Sequence, residues 1–170
     1  MQRTGLLLNA VVFRKVLKAA AVLLFLLFAG VQLVRPERSN PPPAAGQSLE
    51  EHARVPPEVA GVLKRSCMDC HSNRTDWPWY SNVAPASWFV TDHVNHGRRH
   101  LNFSRWGEYD RRRADHLLKE ICATARTGFM PLDSYTLVHR GARLAPSDVQ
   151  TLCGWAGEEQ RRIASLGSKH

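Results

Sequence analysis

Cys67-Met68-Asp69-Cys70-His71 is the stretch on which the reading of this chain turns. Two cysteines three apart, followed at once by a histidine, is the spacing by which both thiols add to the vinyl groups of a haem and the adjoining imidazole becomes an axial ligand of its iron. Two other chemistries start from the same residues. A structural zinc would take Cys67, Cys70 and His71, with Cys122, Cys153 or His139 as the fourth ligand. A histidine directly after the second thiol is badly placed to share a tetrahedral ion with both, and no second CxxC exists. A dithiol redox pair calls for a βαβ setting, which the flanking pattern lacks.

Outward from the motif the periodicity is helical throughout. Pro56-Pro57 opens a helix whose stripe Val59, Val62, Leu63 and Ser66 leads straight into Cys67. Ser72 to Asp76 is turn-like, and Pro78 keeps Trp77-Pro78-Trp79-Tyr80 out of regular helix or central strand. A second helix is expected from Pro85 to Gly97 and a loop from Arg98 to Tyr109. Asp110 caps a third helix running to about Arg126, with Ala114, Leu117, Leu118, Ile121, Cys122 and Ala125 on one face and Gly128 as its stop. A short helical piece around Ser134 to His139 follows. The last helix, Pro146 to about Leu166, carries Val149, Leu152, Cys153 and Ala156. No useful β-alternation is present, so the fold class is all-α: a helical domain behind an N-terminal transmembrane helix and a Pro-rich linker, a domain that the resemblance given below implies to be cytochrome c-like.

The 170 residues hold one ordinary domain and an appendage. Residues 1–15 read as a cytoplasmic N-terminus, 16–34 as a transmembrane anchor, 35–55 as a Pro-rich linker and 56–166 as the haem-binding domain. Val16 to Val34 reaches the roughly 30 Å of a bilayer core at about 1.5 Å per residue. The large side chains before Ala29-Gly30 make a poor cleavage site, so the segment reads as an uncleaved anchor. Arg3, Arg14, Lys15 and Lys18 precede it and hold the N-terminus inside. The expected location is therefore a single pass through a bacterial cytoplasmic membrane, with the C-terminal domain facing the periplasm or cell exterior. The spacer from Arg35 to Val55 has almost nothing to bury and reads as extended.

The net charge of +8 does not indicate nucleic acid. Part of it sits before the apolar segment, and the clusters Arg98-Arg99, Arg111-Arg112-Arg113 and Arg161-Arg162 lack interleaved aromatics. Among the four cysteines, Cys122 and Cys153 fall on apolar helical faces and read as small buried hydrophobes rather than as a disulfide.

The sixth ligand of a haem iron decides much of its function. Met130 is the first candidate: Met1 is the initiator, Met68 lies between the cysteines, and Met130 sits in a loop between Gly128 and Pro131. His93, His96 and His139 are the alternatives. Trp77, Trp79, Tyr80 and Trp88 are candidate walls of a flat apolar cofactor, with core packing as the other reading. The Nδ1 of His71 needs an acceptor, for which a backbone carbonyl near Pro78 or Pro85 is expected.

Cys67-x-x-Cys70-His71-Ser72-Asn73, Trp77-Pro78-Trp79-Tyr80-Ser81, Ala84-Pro85-x-Ser87-Trp88, Leu101-Asn102-Phe103-Ser104-x-Trp106 and Met130-Pro131-Leu132-x-x-Tyr135, then His139 and Ala142-Arg143-Leu144, occur in that order. Together they resemble the bacterial haem-binding domain family, a c-type-cytochrome-like module, from about Val55 to Leu166. The wider plan is similar to class I cytochromes c. The resemblance implies one covalent haem c with His71 proximal and Met130 distal. The tryptophan-rich stretch between haem motif and Met-Pro loop is longer than in class I cytochromes and leaves the distal side less defined. No substrate comes with the family.

The function expected is electron transfer by a membrane-tethered carrier, with Arg98, Arg99 and Arg111 to Arg113 steering an acidic redox partner. The alternative is a haem-based sensor or small-ligand binder with a displaceable sixth ligand. An enzyme such as a peroxidase would need a distal base and an arginine beside a vacant iron. His93 or His96 with Arg98 can be imagined there, but the spacing does not demand it.

Overall fold

The computed structural model describes residues 2–42 and 45–167. Two spacer positions, Pro43 and Ala44, lie outside the described residues with Met1, 168–170 and the side chain of Arg3. Regular structure among the described residues is entirely helical. The chain divides into two compact units, Met1–Glu37 with Pro78–Thr91, and Arg38–Trp77 with Asp92–His170.

The first unit is built on α1, Gln2–Val31. The helix stops at Val31, three residues short of the expected 34, and the chain that follows is tied elsewhere in the unit. The amide of Gln32 donates to the Ala84 carbonyl at 3.1 Å and accepts from the Ala84 N–H at 2.9 Å. The indole of Trp88 donates to the Val34 carbonyl at 2.7 Å. The early stop matters because every 18-residue stretch of α1 then contains Arg14, Lys15 and Lys18. Among the described residues no helix is long and apolar enough to cross a membrane. The uncharged part, Ala19–Val31, spans only about 20 Å. Trp79–Asn82 forms a 3₁₀ turn, after which the first residues of a helix that starts at Ala86 complete the unit as far as Thr91.

In the second unit, α2 (Leu49–His52) is a single turn whose start is closed by reciprocal bonds between Ser48 and Glu51. α3 covers Pro57–Ser66 and α4 Met68–His71, with Cys67 between them out of helical conformation at φ −130°. α5, Ala86–His100, ends here; the helix passes through Gly97 rather than stopping at it. The expected loop after it holds a 3₁₀ segment, Phe103–Glu108, that buries Phe103, Ser104 and Trp106. α6 is Arg111–Thr127, α7 Asp133–Val138 and α8 Pro146–Gly167. Asp110 caps α6 by accepting from the Arg113 N–H at 2.7 Å, and Gly128 ends it at φ +72°, where a side chain would be strained.

The core lies where α6 and α3 pack on α8. Leu117, Leu118 and Ala114 of α6 meet Leu152, Trp155 and Ala156 of α8 and Val59, Val62 and Leu63 of α3. These are the expected stripes, with Trp155 added. Two features differ from the sequence reading. First, Cys122 and Cys153 form a disulfide joining α6 to α8. Each lies on its helix's inner face, so packing the two faces together brings the sulfurs into bonding range.

Second, the spacer is not wholly extended. Leu49 is fully buried, Trp155 donates to the Arg54 carbonyl at 2.8 Å, and Arg162 to the His52 carbonyl at 2.7 Å. The buried Glu159 accepts from the Arg54 N–H and from Arg162. A lone leucine in a polar stretch is enough to dock it when the α8 side chains offer matching partners.

Candidate functional site

Cys67 ends the α3 stripe, and the single turn of α4 brings Cys70 and His71 round to the same cavity. The cavity holds about 430 Å³, within the range of small-molecule and cofactor sites. Its walls are mostly apolar, from Phe103, Leu117, Ile121 and Leu152 among others. Phe103 meets the His71 ring edge-on, with centroids 6.4 Å apart.

The electrostatics follow from these walls. Burial pushes the Cys67 thiol up to about 12, with the neighbouring Cys70 reinforcing it. Burial, then the charge of Asp69, takes Cys70 up to about 11. Both keep partial surface where they line the cavity, but the surroundings are apolar and solvate a thiolate poorly.

His71 is held from behind. Its Nδ1–H donates to the carbonyls of Gly97 and Leu101, at 3.1 Å each. Two carbonyl neighbours assign the proton to Nδ1 and leave the Nε2 lone pair available as a ligand. Burial lowers its pKa, against the opposing pull of the two carbonyl bonds. The expected carbonyl partner thus exists, but at the end of α5 rather than near Pro78 or Pro85. Gly97 permits the approach: a Cβ there would lie 2.6 Å from the Cys70 carbonyl oxygen. Arg98, next in sequence, donates to the Ser72 carbonyl at 2.7 Å and to Thr75 and Asn40 at 2.8 Å. Its guanidinium stacks over Trp77, 6.0 Å from the ring centroid. That arginine braces the turn after His71.

Met130 lines the same cavity as Cys67, Cys70 and His71. Gly128 turns the chain off α6, and the Met130 N–H donates back to the Thr124 carbonyl at 3.1 Å. Tyr135, also on the cavity wall, donates to Asp69 at 2.7 Å and thereby ties the loop after Met130 to the haem motif. Of the alternatives, His93 and His96 line the cavity. His139 is not among the lining residues; its ring stacks on Tyr135 with centroids 4.4 Å apart.

None of Trp77, Trp79, Tyr80 and Trp88 lines the cavity. Trp77 is taken by Arg98, while Trp79, Tyr80 and Trp88 belong to the first unit. The aromatic wall is Phe103, with Phe129 and Tyr135 from the Met130 loop. His100 and Glu120 were not singled out by the sequence, yet both line the cavity, with Nε2 and Oε2 3.0 Å apart. His100 continues the α5 spacing of His93 and His96, which was the available signal; the early helix stop placed at Gly97 hid it.

An apolar cavity bordered by two thiols, an imidazole oriented through Nδ1 and a thioether fits a haem. The thiols and His71 would hold the macrocycle and its iron, and Phe103, Leu117 and Ile121 would cover its faces. Residues 26–158, most of the chain, match the haem-binding domain family. No curated protein and no solved structure matches the chain. On that match, and on a cavity whose residues suit the cofactor, the chain belongs to the haem-binding domain family.

Proposed function

We propose that this protein is a membrane-anchored c-type haem carrier working in electron transfer outside the cytoplasmic membrane. The observation that carries the proposal is one cavity lined by Cys67, Cys70, His71 and Met130. In this reading Cys67 and Cys70 would hold the haem as thioethers, and His71 and Met130 would be the ligands of its iron. The bound iron supplies a one-electron couple. The residues of the chain orient His71 through Nδ1, keep water from the macrocycle with apolar side chains, and hold the Met130 loop closed through Tyr135 and Asp69. The disulfide supports an oxidising compartment. Anchoring is supported by the exposed apolar side chains of α1 after a basic start. A span would need Lys18 to snorkel to the headgroups, because the uncharged helix alone covers about 20 Å.

The deciding experiment is a pyridine haemochrome spectrum of the denatured full-length protein beside Cys67→Ala/Cys70→Ala. Haem that stays with the chain only when both thiols are present is the expected result. Haem lost on denaturation of the wild type would overturn covalent attachment. Redox titration then tests the carrier role, and a couple lying outside physiological potentials would end it.

A second reading, a small-ligand sensor, is favoured by one feature. Met130 is only partly buried, and Phe129 beside it is 66% exposed, so the loop lies at the surface where it can be displaced. Rapid carbon monoxide binding to the ferrous protein would select the sensor; near-absence of binding selects the carrier.

A further inference from the structure

The first unit presents large apolar side chains that haem binding does not use. Trp79 is 78% exposed, Phe89 53% and Trp88 37%, and Val83 lies beside them in sequence with similar exposure. They are not on a loose segment. Ala84 is clamped by both ends of the Gln32 amide, and Trp88 reaches the Val34 carbonyl, so the segment is fastened through these two residues to the chain just after α1. The bond of Trp88 also satisfies the one polar atom of its indole within the protein, leaving the ring as apolar body.

The surface continues along α1. Leu33 and Val34 are largely exposed, and so are Val22 to Phe28 on the helix itself. Apolar exposure of this extent within one unit marks an interaction surface. Its chemistry narrows the partner. A helix apolar on all sides suits a hydrocarbon environment, and Trp beside the end of such a helix suits the layer where acyl chains meet headgroups. Arg35, whose Nε–H donates to the Gln32 carbonyl at 3.2 Å, stands at the same exit and supplies a cation for lipid phosphate. The uncharged helix, about 20 Å long, falls short of a full bilayer core. Apolar surface at its exit makes up part of that shortfall.

We propose that residues 79–89 and the C-terminal end of α1 form one surface that inserts into the headgroup and upper acyl region of a phospholipid bilayer. Trp79 and Phe89 are its deepest side chains. The inference rests on the anchoring part of the function proposed above and is independent of the haem.

The full-length protein is reconstituted in vesicles of phosphatidylcholine and phosphatidylglycerol that contain a phosphatidylcholine with a diazirine in its acyl chain. After photolysis, labelled peptides are read by mass spectrometry. Label is expected in α1 and in 79–89, with loss of the 79–89 label, and retention of the α1 label, in Trp79→Ser/Phe89→Ser. Label in α1 alone overturns this surface and leaves the anchor standing. No label in either overturns both. If the wild type instead forms a dimer in detergent that Trp79→Ser dissolves, with no lipid label on 79–89, the surface is a contact between copies of the chain and the lipid proposal fails.

Discussion

At the scale of single residues, the site depends on contacts that leave no slack. Gly97 lies against the backbone of Cys70, and a methyl group there would sit 2.6 Å from a carbonyl that cannot swing away. Gly97→Ala should therefore push α5 off the haem motif, weaken the hold on His71 and destabilise the protein by about 1–3 kcal/mol. Urea unfolding and the haem absorbance of the same preparation measure both effects. Tyr135 carries the other link. Tyr135→Phe keeps the ring against His139 but removes the 2.7 Å bond to Asp69. A cost of roughly 1–2 kcal/mol is expected, since a bond to a carboxyl group is stronger than a neutral one. Because that bond ties the loop after Met130, carbon monoxide should bind the ferrous variant faster than the wild type, which stopped-flow absorbance would show. An unchanged rate would mean that Tyr135 does not hold the loop.

At the scale of elements, α6 and α3 are each fastened to α8 by a bond between specific side chains. The disulfide Cys122–Cys153 closes a loop of 31 residues between α6 and α8, worth about 3–4 kcal/mol on the chain-entropy account. Cys122→Ser/Cys153→Ser should lower stability by that order. Reducing agent should destabilise the wild type similarly and leave the variant unmoved. Between α3 and α8, Arg65 and Asp148 pair at 2.5 Å. The bond from Arg65, then that from the Ala145 N–H, holds the Asp148 carboxyl below the usual carboxylate range. A folded pKa below the unfolded one adds stability above about pH 4 and loses it as pH falls through the folded value. The pair is partly exposed and screened, so Asp148→Asn should cost at most about 1 kcal/mol at neutral pH. That cost should fade in urea titrations below about pH 4.

At the scale of the molecule, the cavity is confined to one unit. Every residue lining it falls within Arg38–Trp77 or Asp92–His170, whereas α1, Trp79, Trp88 and Phe89 belong to the other unit. A chain begun at Arg38 should therefore retain haem in the spectrum while leaving the membrane fraction for the soluble one. If the shortened protein still pelleted with membranes, the anchor would have to be sought outside α1.

Much of the site was legible before any fold was known, because its signals are local. The haem motif is five adjacent residues, the Asp110 cap and Gly128 stop act within a turn of α6, and the stripes of α3, α6 and α8 recur at helical spacing. Met130 could be singled out because the chain has three methionines and the other two are poorly placed. The rest depends on what distant segments bring to one another. Whether Cys122 and Cys153 were packing residues or a disulfide was decided by two helix faces meeting. Whether Gly97 stopped a helix or admitted a backbone was decided by the Cys70 turn lying against it. Trp77, Trp79 and Trp88 looked like cofactor walls because they follow the motif in sequence, but none of them lines the cavity: Trp77 pairs with Arg98, and the other two fall in the first unit. Sequence alone determined the chemistry on offer, an all-helical chain with two thiols and an imidazole within five residues, since covalent spacing and helical period need no partner. Only the tertiary structure decided which side chains share the cavity, because side chains far apart in sequence meet only where the elements that carry them pack.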